Sequence, residues 1–296
     1  MAENGGLPSR RLLLVTALVT LLAGACSPGT ADAPPDAAAA GRGAPETTVT
    51  TPPPPLRYVS LGDSYSAGGG LVGAVEPCGR APGAYPTLVA ERAVLAGSFH
   101  ACNGATTADV LDRERHPGEG RQIDNVPPDA DVVTLSVGGN DIGFGPVITE
   151  CVVGQQSCLR FDRQVTAALG ALENRLTRLY TGVRERASAA EVLVLGYPRL
   201  VADPDRTGLE TCAGLTADEA RWVRQKGDEL DRVVRGAADA AGVRFLDAAS
   251  AFTGHEACTA EPWMAGISLA TAVSSFHPNA AGHEQLARLV TQALGR

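Results

Sequence analysis

The feature that most constrains the fold of this chain is the alternation of short apolar strands with helical stripes after residue 56. The clearest strand covers residues 131–137 and is rich in β-branched side chains, which favour extended structure. Spacings of four and three place six apolar residues on one face of the clearest helix: Val165, Leu169, Leu172, Leu176, Leu179 and Val183. Strands separated by helices pair in parallel and need helices on both faces. The sequence therefore predicts an α/β fold, a three-layer α/β/α sandwich around a central parallel sheet.

Weaker signals extend the same alternation along the chain. A capping box at Thr216 and Glu219 predicts the start of a second long helix. Further strands are predicted at residues 58–61, 98–101, 192–195 and 243–246, and further helices at residues 85–93 and after Asn279. Ligands of such folds bind at the carboxyl ends of the strands, so functional residues are expected there.

The first 26 residues are typical of an export signal. Arg10 and Arg11 precede an apolar run over residues 12–24 that is short for a transmembrane helix, the alternative interpretation. Export by the general or the twin-arginine route fits equally well. The segment that ends at Cys26 resembles a bacterial lipobox, which predicts a lipidated cysteine; ordinary cleavage is the alternative. Residues 27–55 are rich in Ala, Pro and Thr and are interpreted as a disordered linker before a domain at residues 56–296.

The number of cysteines and the net charge indicate the compartment of the protein and limit the classes of partner. The chain has seven cysteines, and an odd number in an exported protein requires a separate role for one of them. Lipidation of Cys26 leaves six, enough for three disulfides in an oxidising compartment. The net charge is −8 and no basic block occurs, so nucleic acid is not an expected partner. We expect an extracellular or envelope-anchored monomer that contacts the membrane only through Cys26.

Four short segments carry residues suited to acyl transfer. Ser64 follows the strand at residues 58–61, where a hydroxyl can be presented as a nucleophile at the sheet edge. Gly104 and Asn140 lie in two later turns and can donate N–H groups to a developing oxyanion. His277 precedes the last helix and can act as a base. Each segment alone is also typical of an ordinary turn.

Taken together and in this order, the four segments resemble the SGNH (GDSL-like) hydrolase family over roughly residues 56–296. The likeness is greatest to secreted actinobacterial esterases and lipases. It implies a flavodoxin-like SGNH hydrolase fold and a carboxylic ester hydrolase that needs neither metal nor organic cofactor. It assigns Ser64 as nucleophile and His277 as base. It also assigns the oxyanion hole to the backbone N–H groups of Ser64 and Gly104 and the side-chain amide of Asn140.

The chain departs from the family pattern beside the base. Many members carry an Asp three residues before the catalytic His, where this chain has Ser274. We expect a Ser–His dyad in which the backbone carbonyl of Ser274 orients His277, as the family resemblance allows. Asp247 or Glu256 could instead fold into place beside the imidazole. Asp63 and Asp141 are expected to hold loop backbone next to the site.

The resemblance also implies a disulfide pairing in chain order. Six cysteines allow fifteen pairings, and the family pattern selects Cys78 with Cys102, Cys151 with Cys158, and Cys212 with Cys258. Zinc is the alternative, although no C-x-x-C motif supports it.

The substrate is left open among several ester classes. Besides an esterase or lipase, the same residues suit a polysaccharide O-deacetylase or a phospholipase, and a non-catalytic envelope binding protein on this scaffold is the alternative outside enzymes. Specificity is expected to depend on loops at residues 72–86, 144–158 and 204–215. The low aromatic content of 4% favours soluble or short-chain esters. Trp263 and Phe276 are candidates for the wall of an acyl pocket or for core packing.

Overall fold

The computed structural model of the chain describes residues 53–154, 156–267 and 275–296. The predicted export signal with Cys26, most of the predicted linker, and Ser274 lie outside these ranges. In the described part, the strands are β1 (Arg57–Gly62), β2 (Ala96–Phe99), β3 (Val132–Ser136), β4 (Glu191–Leu195), β5 (Thr211–Cys212), β6 (Leu215–Thr216) and β7 (Arg244–Leu246). The α-helices are α1 (Ser64–Ala67), α2 (Tyr85–Ala93), α3 (Thr107–Leu111), α4 (Phe144–Val152), α5 (Asp162–Arg186), α6 (Pro204–Thr207), α7 (Ala217–Ala241), α8 (Ala248–Ala251) and α9 (Ala280–Ala293).

Five of these strands form one parallel sheet in the order β2–β1–β3–β4–β7. The central strand β3 is buried at every position, which explains its unbroken apolar and β-branched sequence. Helices α5, α7 and α3 pack together, and α2 packs against α9 and β2, so that helices flank the sheet. The predicted three-layer α/β/α sandwich is therefore confirmed. Strands β5 and β6 form a small separate hairpin before α7.

Local signals placed the long helices well. All six residues of the predicted stripe are buried in α5. Thr216 caps α7, and its hydroxyl and the Glu219 carboxylate form the predicted reciprocal pair of hydrogen bonds. Asn279 caps α9 by accepting the N–H of Gly282.

Two predictions of local structure are wrong. Strand β2 begins and ends two residues earlier than expected. It pairs with β1 at a largely exposed edge of the sheet. Because few of its side chains are buried, its sequence has no alternation of apolar and polar residues that would indicate its bounds. The segment after Gly143, predicted to be a loop, forms helix α4. This helix buries Val147, Ile148 and Cys151 on one face and runs along one side of the functional site.

Three disulfides join the cysteine pairs that the family pattern selects: Cys78–Cys102, Cys151–Cys158 and Cys212–Cys258. His116 lies near the sulfurs of Cys78 and Cys102. Those sulfurs are bonded to each other, so they are not free thiolates for a metal ion. Among the helices that the structure describes, none is long and apolar enough to cross a membrane.

Candidate active site

Ser64 and His277 meet at the carboxyl end of β1. Ser64 is the first residue of α1, and the carboxylate of Asp63 caps this short helix by accepting the N–H of Tyr65 at 2.9 Å. The hydroxyl oxygen of Ser64 lies 2.7 Å from Nε2 of His277, which approaches from the segment just before α9. Two side chains separated by 213 positions in the sequence are therefore within hydrogen-bonding distance.

The close approach of His277 depends on a glycine beyond α1. A Cβ atom added at Gly69 would lie 2.9 Å from Cδ2 of His277 and 3.0 Å from Cβ of Ser64. Both distances are too short for carbon atoms, so any side chain at this position would displace the imidazole or the serine.

A backbone carbonyl orients the imidazole. Nδ1 of His277 lies 2.9 Å from the carbonyl oxygen of Ser275. A carbonyl oxygen only accepts hydrogen bonds, so Nδ1 carries the proton and Nε2 is free to accept from Ser64. The acceptor bonded in the structure is thus one residue beyond the predicted Ser274, which lies outside the described residues. Asp247 instead binds Ser250 and Arg235, and Glu256 binds the N–H of Gly254, so neither supplies this contact.

The residue before His277 is held in an unusual conformation. Phe276 has a φ of 56°, in the left-handed region, which costs a residue with a Cβ about 1–2 kcal/mol. Its carbonyl accepts the hydroxyl of Tyr65 at 2.6 Å, and its N–H donates to the carbonyl of Ala265 at 3.1 Å. The Tyr65 ring also lies 5.1 Å from the imidazole of His277. These contacts fix the backbone that carries the predicted base, His277.

Burial also affects the titration of His277. His277 is half-buried, and desolvation of its imidazole lowers its pKa below the usual value, partly opposed by the bond to the Ser275 carbonyl. The neutral form, which can accept a proton from Ser64, is therefore favoured at neutral pH. His283, the other histidine of this segment, is buried against α2, where its Nδ1 accepts the N–H of Tyr85.

The predicted oxyanion donors lie on neighbouring turns. Gly104 has a φ of 72°, in the left-handed region that favours glycine, and a Cβ added there would come within 2.5 Å of the Arg115 guanidinium. The Asn140 amide donates to the carbonyl of Ala105 at 2.9 Å, which ties it to the turn of Gly104. Within residues 53–154, 156–267 and 275–296, no protein acceptor is bonded to the backbone N–H of Ser64 or Gly104. These two backbone N–H groups can therefore donate to a ligand.

Comparison with known proteins identifies the family of this chain. A family model described as GDSL-like lipase/acylhydrolase matches residues 60–285. The chain belongs to the GDSL-like lipase/acylhydrolase family. Lipase 1 of Streptomyces coelicolor is 35% identical over 233 residues, which cover 76% of this chain and 81% of that protein. This likeness and the family match make the chain an ester hydrolase of the SGNH type.

Two solved structures resemble this GDSL-like hydrolase closely. Phospholipase A1 from Streptomyces albidoflavus is 35% identical and superposes with a TM-score of 0.71 over 80% of this chain and 99% of that one. The extracellular lipase of Streptomyces rimosus is 32% identical, with a TM-score of 0.72 and the same coverage of both chains.

A buried hydrogen-bond chain that was not predicted connects the turns of this GDSL-like site. The hydroxyl of Tyr197, just after β4, donates to Asp63 at 2.5 Å and accepts the N–H of Gly139 at 3.0 Å. Burial raises the pKa of Asp63 to about 7. Tyr197 therefore links the cap of the Ser64 helix to the residue before Asn140. Asp141, as expected, holds loop backbone by accepting from the N–H and hydroxyl of Thr107.

An apolar cavity of about 430 Å³ opens beside Ser64 and His277. Its long walls are α4 and α7, and its largely apolar lining includes Phe144, Ile148, Val152, Val223, Leu230 and Ile267. Phe276 contributes to the wall, whereas Trp263 is not among the lining residues and packs on His255 and Phe252. A cavity of this size and character is typical of a site for an apolar ligand.

Proposed function

We propose that this protein is an exported serine esterase or lipase that hydrolyses carboxylic esters through an acyl-enzyme on Ser64. The observation that carries the proposal is the 2.7 Å contact between the Ser64 hydroxyl and Nε2 of His277 at the edge of an apolar cavity. A serine hydroxyl becomes a useful nucleophile when a base within hydrogen-bonding distance removes its proton. The cavity supplies room for the apolar part of an ester.

The reaction proceeds in two acyl transfers. Ser64 attacks the ester carbonyl while Nε2 of His277 takes the hydroxyl proton. The imidazolium then gives that proton to the departing alcohol oxygen, which leaves the acyl group on Ser64. A water molecule, activated by the same nitrogen, attacks the acyl-enzyme and releases the carboxylic acid. The Ser275 carbonyl keeps Nδ1 protonated throughout, although a neutral acceptor stabilises imidazolium less than a carboxylate would.

Negative charge develops on the carbonyl oxygen during both attacks. The backbone N–H groups of Ser64 and Gly104 and the amide of Asn140 are the donors proposed to stabilise it. Fixed donors of this kind contribute about 3 kcal/mol each to the transition state, because they are oriented before the charge forms. The left-handed φ at position 104 favours glycine, whose backbone can approach a ligand closely, and this supports the assignment.

Export is proposed from the N-terminal signal and from the disulfides. Three disulfides in one domain favour an oxidising compartment. The similar lipase of Streptomyces rimosus is described as extracellular. Lipidation of Cys26 would retain the domain at the envelope, and mass spectrometry of the mature N-terminus distinguishes this from free secretion.

The test is hydrolysis of p-nitrophenyl esters, from acetate to palmitate, by the full chain with its disulfides formed. Ser64→Ala should abolish turnover while the circular dichroism spectrum stays unchanged. Ser66→Ala is the matched control, because Ser66 lies in the same helix but bonds the Tyr85 hydroxyl and not His277. Full activity of Ser64→Ala, or loss in Ser66→Ala alone, would contradict the assignment. Phosphatidylcholine belongs in the same series, since a similar structure is a phospholipase A1.

A further inference from the structure

The cavity wall contains a glycine in the middle of a long helix. Gly227 lies halfway along α7 and lines the cavity between Val223 and Leu230. At about 100° per residue, positions 223, 227 and 230 share one face of the helix, and Gly227 lies between the other two along the helix axis. On this face of α7, Val223 and Leu230 have apolar side chains, and Gly227 between them has none.

No packing requirement explains this glycine. A Cβ atom added at Gly227 would meet nothing within 4 Å, and the residue does not have a positive φ. Glycine is among the least favourable residues inside a helix, so its presence has a cost in stability. The space that a side chain would occupy belongs to the cavity.

The opposite wall repeats the same spacing. Phe144, Ile148 and Val152 line the cavity from α4, which begins close to Asn140. Val152 lies at the end of α4 near Gly214, just before α7 starts, so the two helices run in opposite directions. Leu230 lies at the level of Gly138, near the carboxyl end of β3. Along the axis of α7, Gly227 thus lies about 4.5 Å from Leu230 toward the start of the helix, and Val223 lies about 6 Å beyond Gly227.

We propose that Gly227 sets how far an acyl chain enters this cavity, and thereby which acyl chain lengths the enzyme hydrolyses. The proposal rests on the ester hydrolase function given above. An extended chain advances about 1.2 Å per bond, so the length of α7 from Leu230 to Val223 corresponds to about nine bonds of an acyl chain. A cavity that admits an acyl chain of this length differs from the short-chain expectation drawn from the aromatic content.

The test is a chain-length profile of p-nitrophenyl esters for wild type, Gly227→Ala and Gly227→Leu. Gly227→Leu should lower kcat/KM for octanoate and palmitate by about tenfold or more, since excluding even one methylene from an apolar pocket has an effect of this size. Acetate should stay within about twofold. Gly227→Ala should have a smaller effect and should raise the melting temperature by about 2 °C, because alanine favours the helix.

Gly170 provides the matched control. It lies inside α5, is exposed, and an added Cβ there also meets nothing within 4 Å, but it does not line the cavity. Gly170→Leu should therefore keep the wild-type profile. Equal profiles for Gly227→Leu and Gly170→Leu, in an enzyme that hydrolyses the series, would refute the role of Gly227 and leave the proposed function intact. The role of Gly227 would also be refuted if the loss of kcat/KM in Gly227→Leu grew with the length of the alcohol group in a series of acetate esters.

Discussion

The substitution Tyr197→Phe removes one hydroxyl. We expect it to lower both the free energy of unfolding and the kcat of this enzyme. The phenol joins the Asp63 carboxylate and the Gly139 N–H inside the protein. Phenylalanine keeps the ring, which packs edge-on against Tyr65 at 4.9 Å. The substitution therefore removes two hydrogen bonds and little packing.

The magnitude follows from the two groups left without a partner. A buried N–H without an acceptor costs about 1–3 kcal/mol, and a hydrogen bond to a charged group is worth about 1.5–3 kcal/mol. We expect a loss of about 3 kcal/mol in the free energy of unfolding at pH 8. The loss should be smaller at pH 5, where Asp63, with a pKa of about 7, is protonated. Because Gly139 precedes Asn140, kcat should fall by about tenfold or more with little change in KM.

Urea unfolding at both pH values and steady-state kinetics measure these effects. Tyr180→Phe is the matched control, because its buried hydroxyl has no hydrogen-bond partner in the described part of the chain. That variant should lose less than about 0.5 kcal/mol and keep wild-type kcat. If Tyr197 affects kcat by positioning Asn140, then the double variant Tyr197→Phe/Asn140→Ala should have nearly the same kcat as Asn140→Ala alone. Equal free energies of unfolding for Tyr197→Phe and Tyr180→Phe would refute this reasoning. So would a double variant whose loss of kcat is the full sum of the two single losses in free energy.

Three further predictions concern pH and strain. Because burial lowers the pKa of His277, the acid limb of kcat/KM should have its midpoint below 6.5, and a midpoint above 6.5 would contradict the buried base. Burial raises the pKa of Asp231 to about 7, so the wild-type fold loses stability as the pH rises from about 4 to 7. Asparagine does not ionise, so the free energy of unfolding of Asp231→Asn, measured in urea, should increase relative to that of wild type over this pH range. Val94 is 74% exposed with a φ of 54°, so Val94→Gly should stabilise the fold by about 1 kcal/mol in thermal unfolding, whereas a loss would show that the strain is absent.

The sequence predicted those elements whose signals are local. The buried strand β3, the stripe of α5 and the capping box of α7 each depend on residues close together in the chain, and the structure has all three. Ser64, Gly104 and Asn140 were expected at strand ends, and the parallel sheet places them at one edge. The resemblance to a family supplied the disulfide pairs, which no count of cysteines could select.

Long-range contacts account for what the sequence did not predict. Tyr197 is 134 positions from Asp63, and nothing in the Gly-Tyr-Pro segment after β4 indicates its partner. The carbonyl that accepts from His277 depends on the local path of the backbone at Phe276, whose left-handed φ is imposed by Tyr65 and Ala265. Helix α4 was missed because its nine residues have few polar positions and follow several glycines.

The role of Ser64 can be measured by reaction with a fluorophosphonate, which phosphonylates an activated serine hydroxyl and releases fluoride. We predict one adduct per molecule, located by peptide mass spectrometry on Ser64, and no adduct in His277→Ala, whose serine lacks the base at 2.7 Å. An adduct on another residue, or labelling of His277→Ala at the wild-type rate, would contradict a Ser64 nucleophile activated by His277.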